Sequence, residues 1–455
     1  MVDKARKTSF VCQQCGHAAP RWLGQCPGCE AWGSLVEEAV PERRARGRVA
    51  AVAPAARPLA AVAASPTMRR STGLGELDRV LGGGLVEGSV VLVGGDPGIG
   101  KSTLALQACG ALARQGLAVL YVAGEESAEQ VRLRADRLGM AEAGVVVMSE
   151  TGAEAVVDEI ARARPAAVVV DSIQTLHTAE LSSAPGSVGQ VRESAGLLVS
   201  AAKASGVACF LIGHVTKEGS LAGPRVLEHL VDTVLYFEGD GAHALRVLRA
   251  VKNRFGSTNE VAVFEMGEQG LAEVANPSAA FLAERPEGAP GSAVLATLEG
   301  SRPLLVEIQA LVSRSGLAMP RRAAIGLDPG RVALLLAVLE KRLRMPLHEQ
   351  DVFLNVVGGL RIDEPAADLA VVAAVASSLR GRPLDPDVAV WGEVGLTGEV
   401  RSVARTDARL REAARQGFRQ CVLPGGNARG LAVPDGVAAT GVATVDRLFE
   451  VLALA

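Results

Sequence analysis

The run Gly95-Asp96-Pro97-Gly98-Ile99-Gly100-Lys101-Ser102 is the densest chemical signal in the chain and fits G-x-x-x-x-G-K-[ST]. Its glycines let the backbone curl so that successive N–H groups face one anion, and the N-terminus of a following helix adds positive potential. In that geometry Lys101 reaches the β- and γ-phosphates of a nucleoside triphosphate, and the Ser102 hydroxyl ligates Mg²⁺. Thr103, the next residue, completes the candidate nucleotide-binding set. The pattern has meaning only between a strand and a helix. Ser89–Val93 reads as an apolar strand leading in, and Thr103–Gln115 reads as a helix leading out.

A second signal is built from thiols. Of the seven cysteines, Cys12, Cys15, Cys26 and Cys29 form C-x₂-C-x₁₀-C-x₂-C. Each C-x₂-C pair fits a tight turn that aims two thiolates at one ion, and two such turns complete a tetrahedral Zn²⁺ site. Four thiolates leave no open position for water, so the site is structural. A pair of disulfides is the alternative, disfavoured in a chain without a signal peptide, which places it in the reducing cytoplasm. Trp22 and Trp32 are expected to pack over this ribbon in place of a core. Cys109, Cys209 and Cys421 lie in apolar patterns and read as buried small hydrophobes.

Two carboxylate positions complete a hydrolytic reading. Val168-Val169-Val170-Asp171 is an apolar strand ending in Asp, suited to a Mg²⁺ carboxylate. Leu120 to Ser127 places Glu125 and Glu126 just past another strand. Ligands of open α/β sheets bind beyond the carboxyl ends of the strands, so Glu125 is the candidate to polarise an attacking water. A helix N-terminus lined with acidic residues is the other reading, and suits Glu126 better.

The elements that must position these groups follow from pattern. From Ser71 to about Ala275 apolar strands alternate with amphipathic helices, as in a parallel sheet with crossover helices. The predicted strands are Val90–Val93, Val119–Ala123, Ala167–Val170, Ala208–Ile212, Thr233–Phe237, Leu245–Val251 and Val261–Glu265. Residues 1–36 form the ribbon and 37–66, rich in Ala, Pro and Arg, a linker. The α/β core spans 67–278. After the Pro/Gly-rich stretch at Glu284–Gly291, a third region, 286–455, runs to the end. Nearly half of the 455 residues are apolar, enough for large cores. A formal net charge of −3 gives no global pull toward nucleic acid, so any DNA contact must be local. No run reaches membrane-spanning length.

The phosphate loop, Gly124-Glu125, the strand ending at Asp171, and Gly213-His214-Val215-Thr216-Lys217 resemble the RecA-type motor core. With the four-cysteine ribbon and the run Lys252-Asn253-Arg254-Phe255-Gly256, the chain is similar throughout to the bacterial RadA (Sms) family of DNA repair proteins. The resemblance implies a DNA-dependent ATPase using ATP, Mg²⁺ and Zn²⁺. It implies action on single-stranded and branched DNA beside the recombinase RecA, as a homo-hexamer with nucleotide between protomers. Lys252 and Arg254 would then reach a neighbour's γ-phosphate. His214 would report nucleotide state to a DNA loop, Val215–Leu230, carrying Lys217 and Arg225. Read without the resemblance, these residues serve equally as surface charges and a strand-end polar group.

The third region resembles the α+β proteolytic domain of the Lon family, which pairs a Ser nucleophile with a Lys base. Here Ala366 stands in the place of the Ser, within Asp363-Glu364-Pro365-Ala366-Ala367-Asp368, and Asp407 in that of the Lys. The resemblance therefore implies a scaffold without peptidase chemistry. Arg314, Arg321, Arg322, Arg342 and Arg344 are available there to DNA or to solvent.

Overall fold

The computed structural model describes residues 8–12, 17–28, 30–39, 68–181, 183–214, 227–239, 244–258, 260–316 and 319–454. The chain divides into two compact units. The first comprises Met1–Phe237, Leu248–Thr258 and Met266–Ala272; the second comprises Glu238–Val247, Asn259–Glu265 and Glu273–Ala455.

In the first unit six strands lie side by side in the order Thr233–Glu238, Val90–Gly95, Ala208–Ile212, Ala167–Asp171, Val119–Ala123 and Val146–Ser149. All five pairings are parallel. Helices Lys101–Arg114, Ala128–Arg137, Ala153–Ala163 and Val188–Ser205 make the crossovers. Covered on both faces, the central strands are continuous apolar runs: Val90, Leu92, Val122, Val168, Val170 and Leu211 are all essentially inaccessible. All seven predicted strands recur in the chain, Leu245–Asn253 and Val261–Gly267 among them, with ends moved by a residue or two. Val146–Ser149 was not predicted. It is an edge strand with Val146 57% exposed, so its short run lacks the burial signature of its neighbours.

Register decides where the loops meet. Ile212 pairs with Asp171, and Asp171 with Ala123, so three parallel strands end at one level. The residues that follow them, Gly213-His214, Ser172 and Gly124-Glu125, emerge together.

The ribbon is a small antiparallel sheet of Thr8–Cys12, Ala18–Ala19 and Leu35–Ala39. Its core is Cys12, Ala19, Cys26 and Leu35, with Phe10 and Leu23 packed against it. The expectation for the tryptophans is corrected: Trp22 is 57% and Trp32 76% exposed, the rings flanking Gly24 on the surface.

The second unit holds a seven-stranded mixed sheet, ordered Arg322–Ile325, Gln350–Val356, Arg302–Arg314, Ser292–Glu299, Val388–Val390, Gln420–Pro424 and Ala438–Val442. Its first three neighbours include two antiparallel pairs, and the rest run parallel. Helix Asp368–Arg380 is buried through most of its length within the core. No helix among the described residues is long and apolar enough to cross a membrane.

Candidate active site

The strand Val90–Gly95 delivers the chain into the phosphate loop, and Lys101–Arg114 carries it away as a helix with Gly100 at its N-cap. Gly95 adopts φ 151°, and a Cβ there would stand 2.8 Å from the carbonyl oxygen of Phe237. Only glycine fits. Lys101 is 3% exposed and folds over the loop, its ammonium donating to the carbonyls of Gly95 at 2.8 Å and Asp96 at 2.9 Å. Burial lowers its pKa, against the attraction of Asp171, Asp96 and Glu125. The ammonium is thus surrounded by the carboxylates that a hydrolytic centre needs.

Asp171 ends its strand at 9% exposure and accepts a 2.5 Å hydrogen bond from the Tyr121 hydroxyl. Tyr121 pairs with Val169, two residues before Asp171, which puts both side chains on one face of the sheet. Burial, then the neighbouring Asp171 charge, push the tyrosine well above its ordinary pKa, so it stays a donor. The Ser102 hydroxyl with the Asp171 carboxylate is a hard oxygen donor set of the type Mg²⁺ takes.

Glu125 lies just beyond the Val119–Ala123 strand. Its Oε1 accepts from the Ser172 hydroxyl and lies 3.2 Å from His214 Nε2. The His214 contact holds its pKa down, to about 2, with Ser172 and Lys101 assisting against the opposing effect of burial. At 42% exposure its side chain is still open to water. Gly124 makes the approach to Asp171 possible: its N–H donates to the Asp171 carbonyl at 2.8 Å, and a Cβ would lie 2.1 Å from Thr175 Oγ1. Gln174 Nε2 donates to the His214 carbonyl at 3.3 Å. Glu126 instead pairs with Arg134, and Ser127, in a capping box with Gln130, caps the next helix.

Lys252 and Arg254 stand elsewhere. Arg254 Nη1 donates to Asp232 Oδ1 at 3.1 Å, and Asp232 Oδ2 accepts the N–H of Val90 at 3.1 Å. Val90 opens the strand whose last residue, Gly95, opens the phosphate loop, so the cations sit about five strand residues away, roughly 16 Å. Lys252 donates to the carbonyls of Glu228 at 2.6 Å and Val231 at 2.8 Å. Burial and the nearby Arg254 lower its pKa. Asn253 anchors the run, donating to Val80 O at 3.1 Å and accepting from the Phe255 N–H at 2.9 Å.

In the ribbon Cys12 and Cys26 are 0% and 1% exposed. Cys26 Sγ accepts the Gly28 N–H at 3.3 Å, and Cys12 Sγ lies 3.2 Å from Ser34 Oγ. An amide aimed at a buried sulfur suits a thiolate ligand, so Cys26 fits a metal ribbon. Cys15, Cys29, Lys217 and Arg225 lie outside the described residues, as does nearly all of 37–66.

Sequence reasoning missed Tyr121, Ser172, Asp232 and Asn253. A tyrosine inside an aliphatic strand, in a chain with two tyrosines, is the one signal that was there to find.

In the second unit Ala366 is 1% exposed, and Asp407 sits on the surface paired with Arg411 at 2.7 Å. Nearby, Arg331 makes a bidentate contact with Asp368, and Arg409, 1% exposed, does the same with Glu364.

A phosphate loop on a parallel sheet with acidic residues at the strand ends defines a P-loop ATPase, and 55–220 match the model of the AAA domain. Residues 10–37 match the rubredoxin metal binding domain and 340–455 the Lon protease (S16) C-terminal proteolytic domain. The chain is 52% identical to DNA repair protein RadA of Bacillus subtilis, over 96% of this chain and 97% of that one. It is 54% identical to DNA repair protein RadA of Pseudomonas aeruginosa, over 98% of this chain and 99% of the relative. It belongs to the RadA family of DNA repair proteins. An AAA domain implies a nucleotide ligand, and the ribbon is of a metal-binding type.

Proposed function

We propose that the protein is an ATP-driven motor on single-stranded DNA that promotes branch migration of recombination intermediates. It works as a cytoplasmic homo-hexamer beside the recombinase RecA, with functional parts at 1–36, 37–66, 67–278 and 286–455. The observation that carries this reading is the shared carboxylate of Glu125, held by Ser172 and His214 next to the phosphate loop.

Lys101 binds the β- and γ-phosphates, exchanging its contacts with Gly95 and Asp96 for phosphate oxygens. Ser102 and Asp171 would hold Mg²⁺, which would neutralise charge on the phosphates. Glu125 orients the attacking water. A carboxylate with pKa near 2 is a weak base, but phosphoryl transfer through a loose transition state asks for positioning more than proton abstraction. His214, one residue before the expected DNA loop Val215–Leu230, senses the change at Glu125 and passes it to DNA contacts at Lys217 and Arg225. Lys252 and Arg254, at the opposite end of the strand from the protomer's own phosphate loop, act on a neighbour's γ-phosphate. The second unit serves as scaffold. Ala366 offers no nucleophile and Asp407 no base, so peptide hydrolysis has no route.

Lys101→Ala is expected to lower ATP turnover at least ~100-fold, the scale for removing one transition-state donor. Wild-type turnover should rise with single-stranded DNA and drive branch migration in a strand-exchange assay containing RecA. Turnover indifferent to DNA, with no movement of branches, would leave a nucleotide-switched binding module instead.

A further inference from the structure

Two of the chain's three tryptophans, Trp22 and Trp32, lie on the surface of the ribbon, 57% and 76% exposed, while Trp391 in the second unit is fully buried. Indole is the largest apolar group a chain can bury, and leaving two of them outside forgoes that stabilisation. The two rings converge on one spot. The point where a Cβ on Gly24 would stand is 3.5 Å from Trp32 Cζ3 and 3.9 Å from Trp22 Cη2. Gly24 is not among the glycines with positive φ, so its backbone conformation does not call for glycine. What its missing side chain provides is an open floor between the indoles.

The backbone that carries the rings is tied down. The Gly33 N–H donates to the Gly24 carbonyl at 2.8 Å and the Cys26 N–H to the Ala31 carbonyl at 2.9 Å, and Gln25 pairs with Trp32 in a short antiparallel bridge. The Gln25 side chain adds a hydrogen bond to the Glu30 carbonyl at 2.9 Å. Cys26 belongs to the same hairpin, so a metal bound there would brace the rings as well. The pair is therefore a preformed aromatic surface, not two loose side chains.

We propose that Trp22, Trp32 and the floor at Gly24 form a stacking platform for the unpaired bases of single-stranded DNA, a proposal that rests on the single-stranded DNA reading above. Every base has a π-face, so aromatic stacking holds a single strand without reading its sequence. In a duplex those faces are covered by the neighbouring pairs. The platform therefore separates single strands and the open arms of a branch from paired DNA. Charge points the same way. Residues 1–48 carry eight Lys and Arg against five Asp and Glu, in a chain whose formal net charge is −3. That local excess of cations complements a polyanion. Arg21, exposed and directly before Trp22, supplies a cation for a phosphate beside the ring that takes the base.

The test is binding of oligothymidylate, and of an abasic strand of equal length, to the full-length zinc-loaded chain, read by tryptophan fluorescence and by anisotropy of the labelled strand. Buried Trp391 gives a constant background, so quenching reports Trp22 and Trp32. Oligothymidylate should quench and the abasic strand should not. Trp32→Ala should weaken oligothymidylate binding about tenfold, the scale of one stacked base, and Trp32→Phe should restore most of it. The salt dependence should be unchanged in both variants, whereas Arg21→Ala should lower its slope by about 1. The Trp32 ring lies outside the ribbon's core of Cys12, Ala19, Cys26 and Leu35, so its removal leaves that core in place. Binding without quenching, or with unchanged affinity in Trp32→Ala, would overturn the platform and leave the indoles as a protein-docking face. Equal quenching by the abasic strand would overturn base stacking. Failure of the wild-type chain to bind either strand would overturn the single-stranded DNA reading itself.

Discussion

Glu125 is ionised across the whole physiological range because His214, and after it Ser172, hold its pKa at about 2. A depressed carboxylate stabilises the folded chain fully above its ordinary pKa of 4.5, and that contribution fades as pH falls from 4.5 toward 2. The same sign governs turnover. His214→Ala should move the acid limb of the pH–rate profile upward toward the ordinary carboxylate range, and an unmoved limb would separate His214 from Glu125. Glu125 itself was legible from its place after an apolar strand. Ser172 and Tyr121 were not, because a hydroxyl becomes functional only through the register that sets it beside a carboxylate. At the ribbon, Cys26→Ser should release zinc, measured as metal content per chain, while ATP hydrolysis by the core persists. Full retention of metal would remove Cys26 from the ligand set.

Elements buried on both faces left a plain trace in the sequence. Ala167–Asp171 and Ala208–Ile212 are runs of apolar residues between turn signals, and their alternation with helices pointed to a parallel sheet. Val146–Ser149, half open at the sheet edge, left none. The tryptophans misled for a related reason. Large rings are read as core, but among the described residues the ribbon's core is Cys12, Ala19, Cys26 and Leu35, with Phe10 and Leu23 against it. In the second unit sequence resemblance located the motif around Ala366 but not what fills the neighbouring space. Arg409 donates to the Ala296 carbonyl at 2.6 Å and makes a bidentate pair with Glu364, which also accepts from Thr297 and the Leu298 N–H. Breaking a buried pair strands the remaining charge, so Arg409→Ala should cost that unit about 3–5 kcal/mol. Chemical denaturation of the full chain reads this, and a loss below about 1 kcal/mol would show the pair to be peripheral.

For the whole molecule, a formal net charge of −3 directs DNA to local cations rather than to a general field. The strongest whole-molecule consequence comes from Lys252 and Arg254. Asp232 ties Arg254 to the start of the strand that ends in the phosphate loop, so within one protomer the cation and the γ-phosphate position lie at opposite ends. The proposed composite site, closed by a neighbour, would resolve that separation and would make hydrolysis a property of the assembly. The most direct check is steady-state ATP turnover on single-stranded DNA by an equimolar mixture of Lys101→Ala and Arg254→Ala chains. Each variant alone should be close to background. The mixture should regain turnover, because an Arg254→Ala protomer keeps its phosphate loop and receives Arg254 from a Lys101→Ala neighbour. A mixture no more active than the sum of its parts would contradict the composite site.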